Sequence, residues 1–247
     1  MSVAGVVVIH EPVPELEQCL DALRPQVDEL VVVANVPGTA VEGARLIEND
    51  SPAGFAANAN RGIAETKAPF VVLCNPDTIA APGTVEVLRR FAEGHPRAGI
   101  VGPELRHQDG SINSSRRLFP TIRGTIVRRT PLRRFLGHTQ RAHYGLGERP
   151  DQPIEADWLL GAFLFLKRTM LEELGGLDAG FRLYGEDIDL AYRAAKAGWE
   201  RWYVPEAKAV HIHQAVTDRR LLTRRTLWHW RGILRFVRKH PERLRAL

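Results

Sequence analysis

The chain has little sulfur and few aromatic rings: of 247 residues, two are cysteine, two are methionine and 7% are aromatic. Cys74 lies inside an apolar run and Cys19 inside a helical pattern, so two reduced, buried thiols are expected rather than a disulfide or a metal site. No apolar run approaches the roughly 20 residues needed to span a bilayer. The opening MSVAGVVVIHEP lacks the basic region and cleavage site of a secretory signal, which makes a cytoplasmic protein the expectation. Acid is missing from one long stretch. Between Ser111 and Gly147 there is no Asp or Glu, while Arg116, Arg117, Arg123, Arg128, Arg129, Arg133, Arg134 and Arg141 all fall there. A second basic run covers Arg219 to Arg245, within a net charge of +5. Both runs suit phosphates, whether of nucleotides, nucleic acid or membrane lipids. Also absent are a glycine-rich phosphate loop, a dinucleotide fingerprint and any familiar Ser–His or Cys–His nucleophile signature.

What is present is a regular alternation. Apolar, β-branched runs at 5–10, 30–35, 44–49, 70–75 and 98–105 read as strands, and 14–26, 54–66 and 83–94 between them read as helices. Continuous apolar strands separated by helices predict an α/β fold with a mainly parallel sheet covered on both faces. In such sheets ligands bind beyond the carboxyl ends of the strands. The stretch 106–150 loses this periodicity and is expected to form a basic flap or insertion. The pattern resumes with a strand over 156–168, a short helix over 169–178 stopped by Gly175–Gly176, a helix beginning near Glu186, and strands at RWYVP and AVHIH. From about Arg219 the chain is helical and basic. The resulting division is a domain over 1–217, made of a first half 1–105, the flap 106–150 and a second half 151–217, followed by an extension over 218–247.

Four places carry chemistry-bearing residues. In VVLCNPDT, Asp77 sits at a strand's carboxyl end behind a proline, where one carboxylate can serve Mg²⁺ or Mn²⁺ shared with substrate phosphates. A plain turn, with Asp77 bonding nearby backbone, explains the motif as well. In YGEDIDL, Leu190, Ala191, Ala194 and Ala195 lie three, four, seven and eight places beyond Asp187, which puts that carboxylate on the inward face at a helix start. That placement suits a general base; an N-terminal acid cluster capping the helix is the other reading. Asp189 falls off that face and reads as structural. In AVHIH, alternation puts His211 and His213 on one strand face, as metal or phosphate ligands or as ordinary packed histidines. In AGFAANANRG, small residues with Asn58 and Asn60 at a helix start suit either a nucleotide or close helix–sheet packing.

Taken in order, GFAANANRGI, VVLCNPDT, VGPELRHQDGSINSSRR, DWLLGAFLFLKR, LGGLDAGFRLYGEDIDLAYRAAKAGW and YVPEAKAVH resemble the family 2 inverting glycosyltransferases of GT-A fold, in particular the rhamnosyltransferase-like branch that builds bacterial cell-surface polysaccharide. The resemblance runs from Val6 to about His213. It implies a hexosyltransferase using a nucleoside-diphosphate sugar donor, rhamnose being a candidate, and a glycan or lipid-linked acceptor. By the same resemblance Asp77 would hold the divalent cation, with Asn75 replacing an acid often found in that motif. His211 would help bind metal or diphosphate, with His213 as the alternative. Asp187 would be the general base and Glu186 its partner at the acceptor. Trp158 and Gly161 would shape the acceptor and sugar pocket, and Asn60 and Gly62 would lie beside the nucleotide.

Two positions depart from the family pattern. Ile9, His10 and Glu11 stand where a small residue, an aromatic and Asn are usual, and Ala34 stands where an Asp reads the nucleotide base. Base recognition would then fall to residues such as Glu11, and a catalytically weakened relative that binds nucleotide or a partner is the alternative function. Nucleic-acid binding is disfavoured because the arginine-rich segments lack interleaved aromatic platforms, although Trp228 and Trp230 sit in the C-terminal run. That run, LLTRRTLWHWRGILRFVRKH, reads either as an amphipathic helix lying on an anionic membrane surface or as a helix packed on the domain with a solvated basic face. The sequence is silent on oligomeric state.

Overall fold

A computed structural model describes residues 1–35, 37–119, 150–212 and 224–244, with side chains in the last segment described from Trp228 to Glu242. The main sheet starts from β1 (Val3–Ile9), which pairs in parallel with β2 (Glu29–Ala34) on one side and β4 (Phe70–Cys74) on the other. β3 (Arg45–Glu48) extends it beyond β2. β1, β2 and β4 are almost continuously apolar because both faces are covered. Val7 and Ile9 pack with Leu20 and Leu23 of α1 (Leu16–Leu23), while Val6 and Val8 pack with Phe55, Ala59 and Ile63 of α2 (Phe55–Ala64).

Beyond β4 the sheet turns mixed. Past the short β5 (Thr78–Ala80) and α3 (Thr84–Gly94), the chain enters β6 (Ala98–Arg106) and the two-residue pieces β7 (Ile112–Asn113) and β8 (Arg116–Arg117). The single strand expected over 156–168 is instead β9 (Ile154–Glu155), β10 (Trp158–Leu159) and β11 (Phe163–Lys167). β10 leaves the main sheet to pair with β8, and β11 returns as an antiparallel strand between β4 and β6. After α4 (Arg168–Leu174), which Gly175 ends at φ +70 as its sequence signal suggests, come α5 (Glu186–Lys196) and β12 (Glu200–His211). The expected strands RWYVP and AVHIH are one strand, β12. Its register against β6 slips between Val204 and Lys208, around Pro205, which has no N–H for a ladder. The path order is β3-β2-β1-β4-β11-β6-β12-β5.

Of the stretch expected as a flap, 106–119 is ordered through β7 and β8, and the remainder to 149 lies outside the described residues. Cys19 and Cys74 are free, buried and 4.0 Å apart at sulfur, as two packed thiols. The basic C-terminal run forms α6 (Arg224–Lys239).

Candidate active site

Because β1, β2, β4, β6 and β12 run the same way, His10, Asn35, Asn75 and His211 arrive at one edge of the sheet. β11 runs oppositely, so the segment entering it, with Gly161, lies at that same edge. The asparagine after β4 ties the two together: its backbone N–H donates to the Ala162 carbonyl at 2.9 Å. One residue earlier, the Gly161 N–H donates to Asp187 Oδ2 at 3.1 Å. A side chain at Gly161 would press on that carboxylate, since a Cβ there would meet Asp187 Oδ2 at 3.3 Å. A short backbone path therefore connects the NPD turn to the first turn of α5.

β5 explains the other pairing. It folds back from the NPD turn and joins β12 antiparallel, placing His211 opposite Thr78. The Ile212 N–H closes the join on the Asp77 carbonyl at 3.0 Å. His211 Nε2 consequently lies 3.4 Å from Asp77 Oδ2, and its Nδ1 is 3.3 Å from the Asn113 amide nitrogen. Adjacent donors on one octahedral Mg²⁺-type ion sit about 3 Å apart, so this oxygen–nitrogen pair fits two cis positions of one ion. Among the described residues no group of three or more His, Cys, Asp or Glu is placed to hold a metal. The donor set suits an ion whose remaining positions are filled by phosphate oxygens and water. His213 lies outside the described residues.

The first turn of α5 is electrostatically loaded. Glu186 is buried, its Oε2 has no hydrogen-bond partner, and loss of solvation with help from the Asp187 charge pushes its carboxyl up to about 8. Asp187 is half-buried; loss of solvation raises its carboxyl too, against the Gly161 and Ile188 N–H groups and the Arg117 charge. Asp189, off the Asp187 face, meets a second packing surface. It is fully buried because α6 covers that side of α5, and it meets Arg193, Lys239 and His240 at 2.7, 2.9 and 2.8 Å. Its role is structural, as its place off the expected face suggested.

The rim at β1–β3 is a locked amide network that the sequence pattern conceals. Asn35 Oδ1 accepts from the Ala53 N–H, Asn49 Nδ2 and Asn58 Nδ2 at 3.1, 2.7 and 3.0 Å. Its own amide N–H groups go to the Ala53 carbonyl and to His10 Nδ1, at 2.8 and 2.7 Å. With both amide hydrogens given away, His10 Nδ1 is an acceptor and Nε2 carries the proton. Burial lowers the His10 pKa, which keeps this neutral form, and Nε2 is buried without a partner. Glu11 beside it is exposed, and Ala34 is buried in the core.

Three other expected site residues have structural duties. Asn60 spends its amide on both backbone groups of Leu177, at 2.7 and 2.9 Å. Gly62 lets α2 press on the sheet, since a Cβ there would come within 2.5 Å of Val6. The indole of Trp158 is buried, donates to the Leu118 carbonyl at 2.8 Å and carries the Arg117 guanidinium 5.3 Å from its ring centre. Sequence reasoning did not find Asn35, Asn49 or Asn113. The first two follow strand ends, a detectable signal, whereas Asn113 depends on a two-residue strand that no periodicity reveals.

Comparison with known proteins bears on the family and the fold. Residues 16–231 match the family described as Glycosyltransferase like family 2. An N-acetylglucosaminyl-diphospho-decaprenol L-rhamnosyltransferase of Mycobacterium tuberculosis is 31% identical over 85% of this chain and 75% of its own length. Rhamnosyltransferase WbbL of Escherichia coli is 25% identical over 74% of this chain and 70% of its own. In fold, the chain superposes on GalNAc-T7, crystallised with UDP, GalNAc and Mn²⁺, with a TM-score of 0.67 at 14% identity. It also superposes on the mannosyltransferase PcManGT of Pyrobaculum calidifontis, in complex with GDP-Man and Mn²⁺, at 0.59 and 18% identity. The superpositions take in 96% and 95% of this chain but 48% and 64% of those longer ones, and they show a shared GT-A architecture.

Proposed function

The chain belongs to glycosyltransferase family 2, and from that premise we propose that it moves a sugar, rhamnose being the candidate, from a nucleoside-diphosphate donor to a hydroxyl of a glycan or lipid-linked acceptor, with inversion, in cell-surface polysaccharide synthesis. The observation that carries the proposal is the backbone path from the Asp77 turn through Asn75, Ala162 and Gly161 to Asp187. It ties the Asp77 turn and the first turn of α5 to one sheet edge, which supports reading them as donor end and base end.

In this reading Asp187 takes the proton from the acceptor hydroxyl as the acceptor oxygen bonds to the anomeric carbon. The bond from that carbon to the diphosphate oxygen breaks, and its electron pair leaves with the nucleoside diphosphate. Gly161 and Ile188 hold the Asp187 carboxylate through backbone N–H groups, while loss of solvation raises its basicity. Glu186, neutral at pH 7 with its carboxyl at about 8, offers the acceptor an O–H donor. Asp77 and His211 would hold Mg²⁺ or Mn²⁺, which when bound neutralises charge on the diphosphate. His10 presents its Nε2–H at the nucleotide rim, with Glu11 next to it. Residues 1–217 form the transferase domain and 218–247 an extension, working at the inner face of the cell membrane.

Calorimetry with nucleoside diphosphates, with and without Mn²⁺, tests the donor end, and a donor-hydrolysis screen across nucleotide sugars names the sugar. Metal-dependent binding is expected. Ala34 in place of a carboxylate supports a second reading, a weakened relative that binds without transferring. Metal-dependent binding without turnover of any nucleotide sugar would favour its nucleotide-binding form, and failure of every nucleoside diphosphate to bind would favour its partner-binding form.

A further inference from the structure

α6 has two working faces. Inward, Gly232, Phe236 and His240 recur every fourth residue. Gly232 lies so close to the loop before α5 that a Cβ there would come within 2.2 Å of the Tyr184 carbonyl. Phe236 is 5% exposed and meets Tyr192 edge-on, at 5.7 Å between ring centres. Arg235 and Lys239 bond Asp178 at 2.8 and 2.7 Å, and Lys239 and His240 close on Asp189. The helix is thus bolted to the element whose first turn carries Asp187.

The outward face has no such partners among the described residues. Five large apolar side chains stand exposed among the described residues, and two of them, Trp230 at 39% and Leu234 at 53%, lie on successive turns of this helix. At 100° per residue these two are roughly 40° apart, and the exposed Arg238 and Arg231 follow within about 60° more. The outer arc therefore passes from apolar to cationic. From Arg219 to Leu247 the sequence holds ten Lys or Arg and a single acid, Glu242. Among the described residues no helix is long and apolar enough to cross a membrane.

We propose that the Trp230–Leu234–Arg238–Arg231 face of α6 docks on an anionic lipid bilayer. Trp230 and Leu234 enter the headgroup boundary, and the two arginines meet lipid phosphates. Charge complementarity selects this occupant: ten Lys or Arg against one acid over 219–247 match a surface of lipid phosphates. Because α6 is bolted to α5, docking also fixes the attitude of Asp187 toward the membrane. Only that last consequence, presentation to a lipid-linked acceptor, rests on the transferase reading.

Co-sedimentation of the full chain with phosphatidylcholine vesicles, with and without phosphatidylglycerol, tests the proposal. Binding is expected to the anionic vesicles alone and should weaken as salt rises. Arg231→Ala with Arg238→Ala should lower the partition coefficient about 30-fold, or about fivefold per charge. Trp230→Ser with Leu234→Ser should lower it about tenfold. Turnover with a water-soluble acceptor should be unchanged in both pairs. The proposal is overturned if the wild-type chain ignores anionic vesicles or if both double variants bind as the wild type does. It also falls if Trp230→Ser with Leu234→Ser merely turns a dimer into a monomer, which would make a second copy the occupant. Since the readout is binding, absence of transferase activity would count against the proposed function and not against this surface.

Discussion

The rim above β1–β3 and the first turn of α5 are both dense in polar side chains, yet they use them in opposite ways. At the rim, Asn35, Asn49 and Asn58 satisfy one another and the backbone, leaving His10 Nε2 as the unspent group. In α5, Glu186 keeps an unpartnered buried oxygen and Asp187 accepts from backbone N–H groups while burial raises both carboxyls. A saturated network costs nothing to hold and gives shape. An under-satisfied acid pair is costly in the folded state, so it persists where its chemistry is used. The contrast repeats within one helical turn, where Asp189 is wrapped by Arg193, Lys239 and His240 and Asp187 is not.

The sharpest way to break this comparison is Asp187→Asn, which should lower transfer by about 10²- to 10⁴-fold while calorimetric donor affinity stays near wild type. Undiminished turnover would remove Asp187 from the base role. Asp189→Asn should do the reverse. It strips the negative charge from among Arg193, Lys239 and His240 and should cost about 3–5 kcal/mol of stability, read as a lower denaturant midpoint. A stability loss below about 1 kcal/mol would mean that α6 is not held by this cluster.

Much of this contrast was legible before the fold was known, and the failures have physical causes. The strand runs at β1, β2 and β4 were readable because both faces are covered, so nearly every residue is apolar. The NPD and GED motifs were readable as acids at a strand end and a helix start. Asp189 was readable as structural and off the Asp187 face, but not as buried, because helical phase assumes one buried face and α6, some fifty residues away in sequence, buries another. Asn60 and Gly62 belonged to a motif that the sequence could assign equally to ligand or packing, and the distances show the packing duty of each. β10 and β8 are two residues long and held by each other, which leaves no period to detect.

On the donor side, Asp77→Ala should abolish metal-dependent nucleotide binding and lower transfer on the order of 10²-fold, and chelation of the wild-type chain should have the same effect. Full activity under exhaustive chelation would sink the metal assignment. His211→Ala should weaken metal affinity by less, since Asp77 remains. Gly62→Ala separates rim shape from rim chemistry. The added methyl meets Val6 and Val33, so a loss of about 1–3 kcal/mol in stability is expected with donor affinity unchanged. A selective loss of donor affinity would return Gly62 to the nucleotide site.

The smallest expected effect concerns how the acid pair is held. The folded Glu186 carboxyl, at about 8, lies above its ordinary value of 4.5, so between those limits the native chain binds more protons than the unfolded chain. Stability from this group is present at low pH and is lost as pH rises through that window, opposite in sign to a salt-bridged acid. Glu186→Gln keeps the shape and removes the titration, so its thermal midpoint should fall less between pH 5 and pH 8 than that of the wild type. If both midpoints fall in parallel, Glu186 is already ionised in the folded chain. The first turn of α5 would then be as saturated as the rim, and the contrast between the two regions would rest on Asp187 alone.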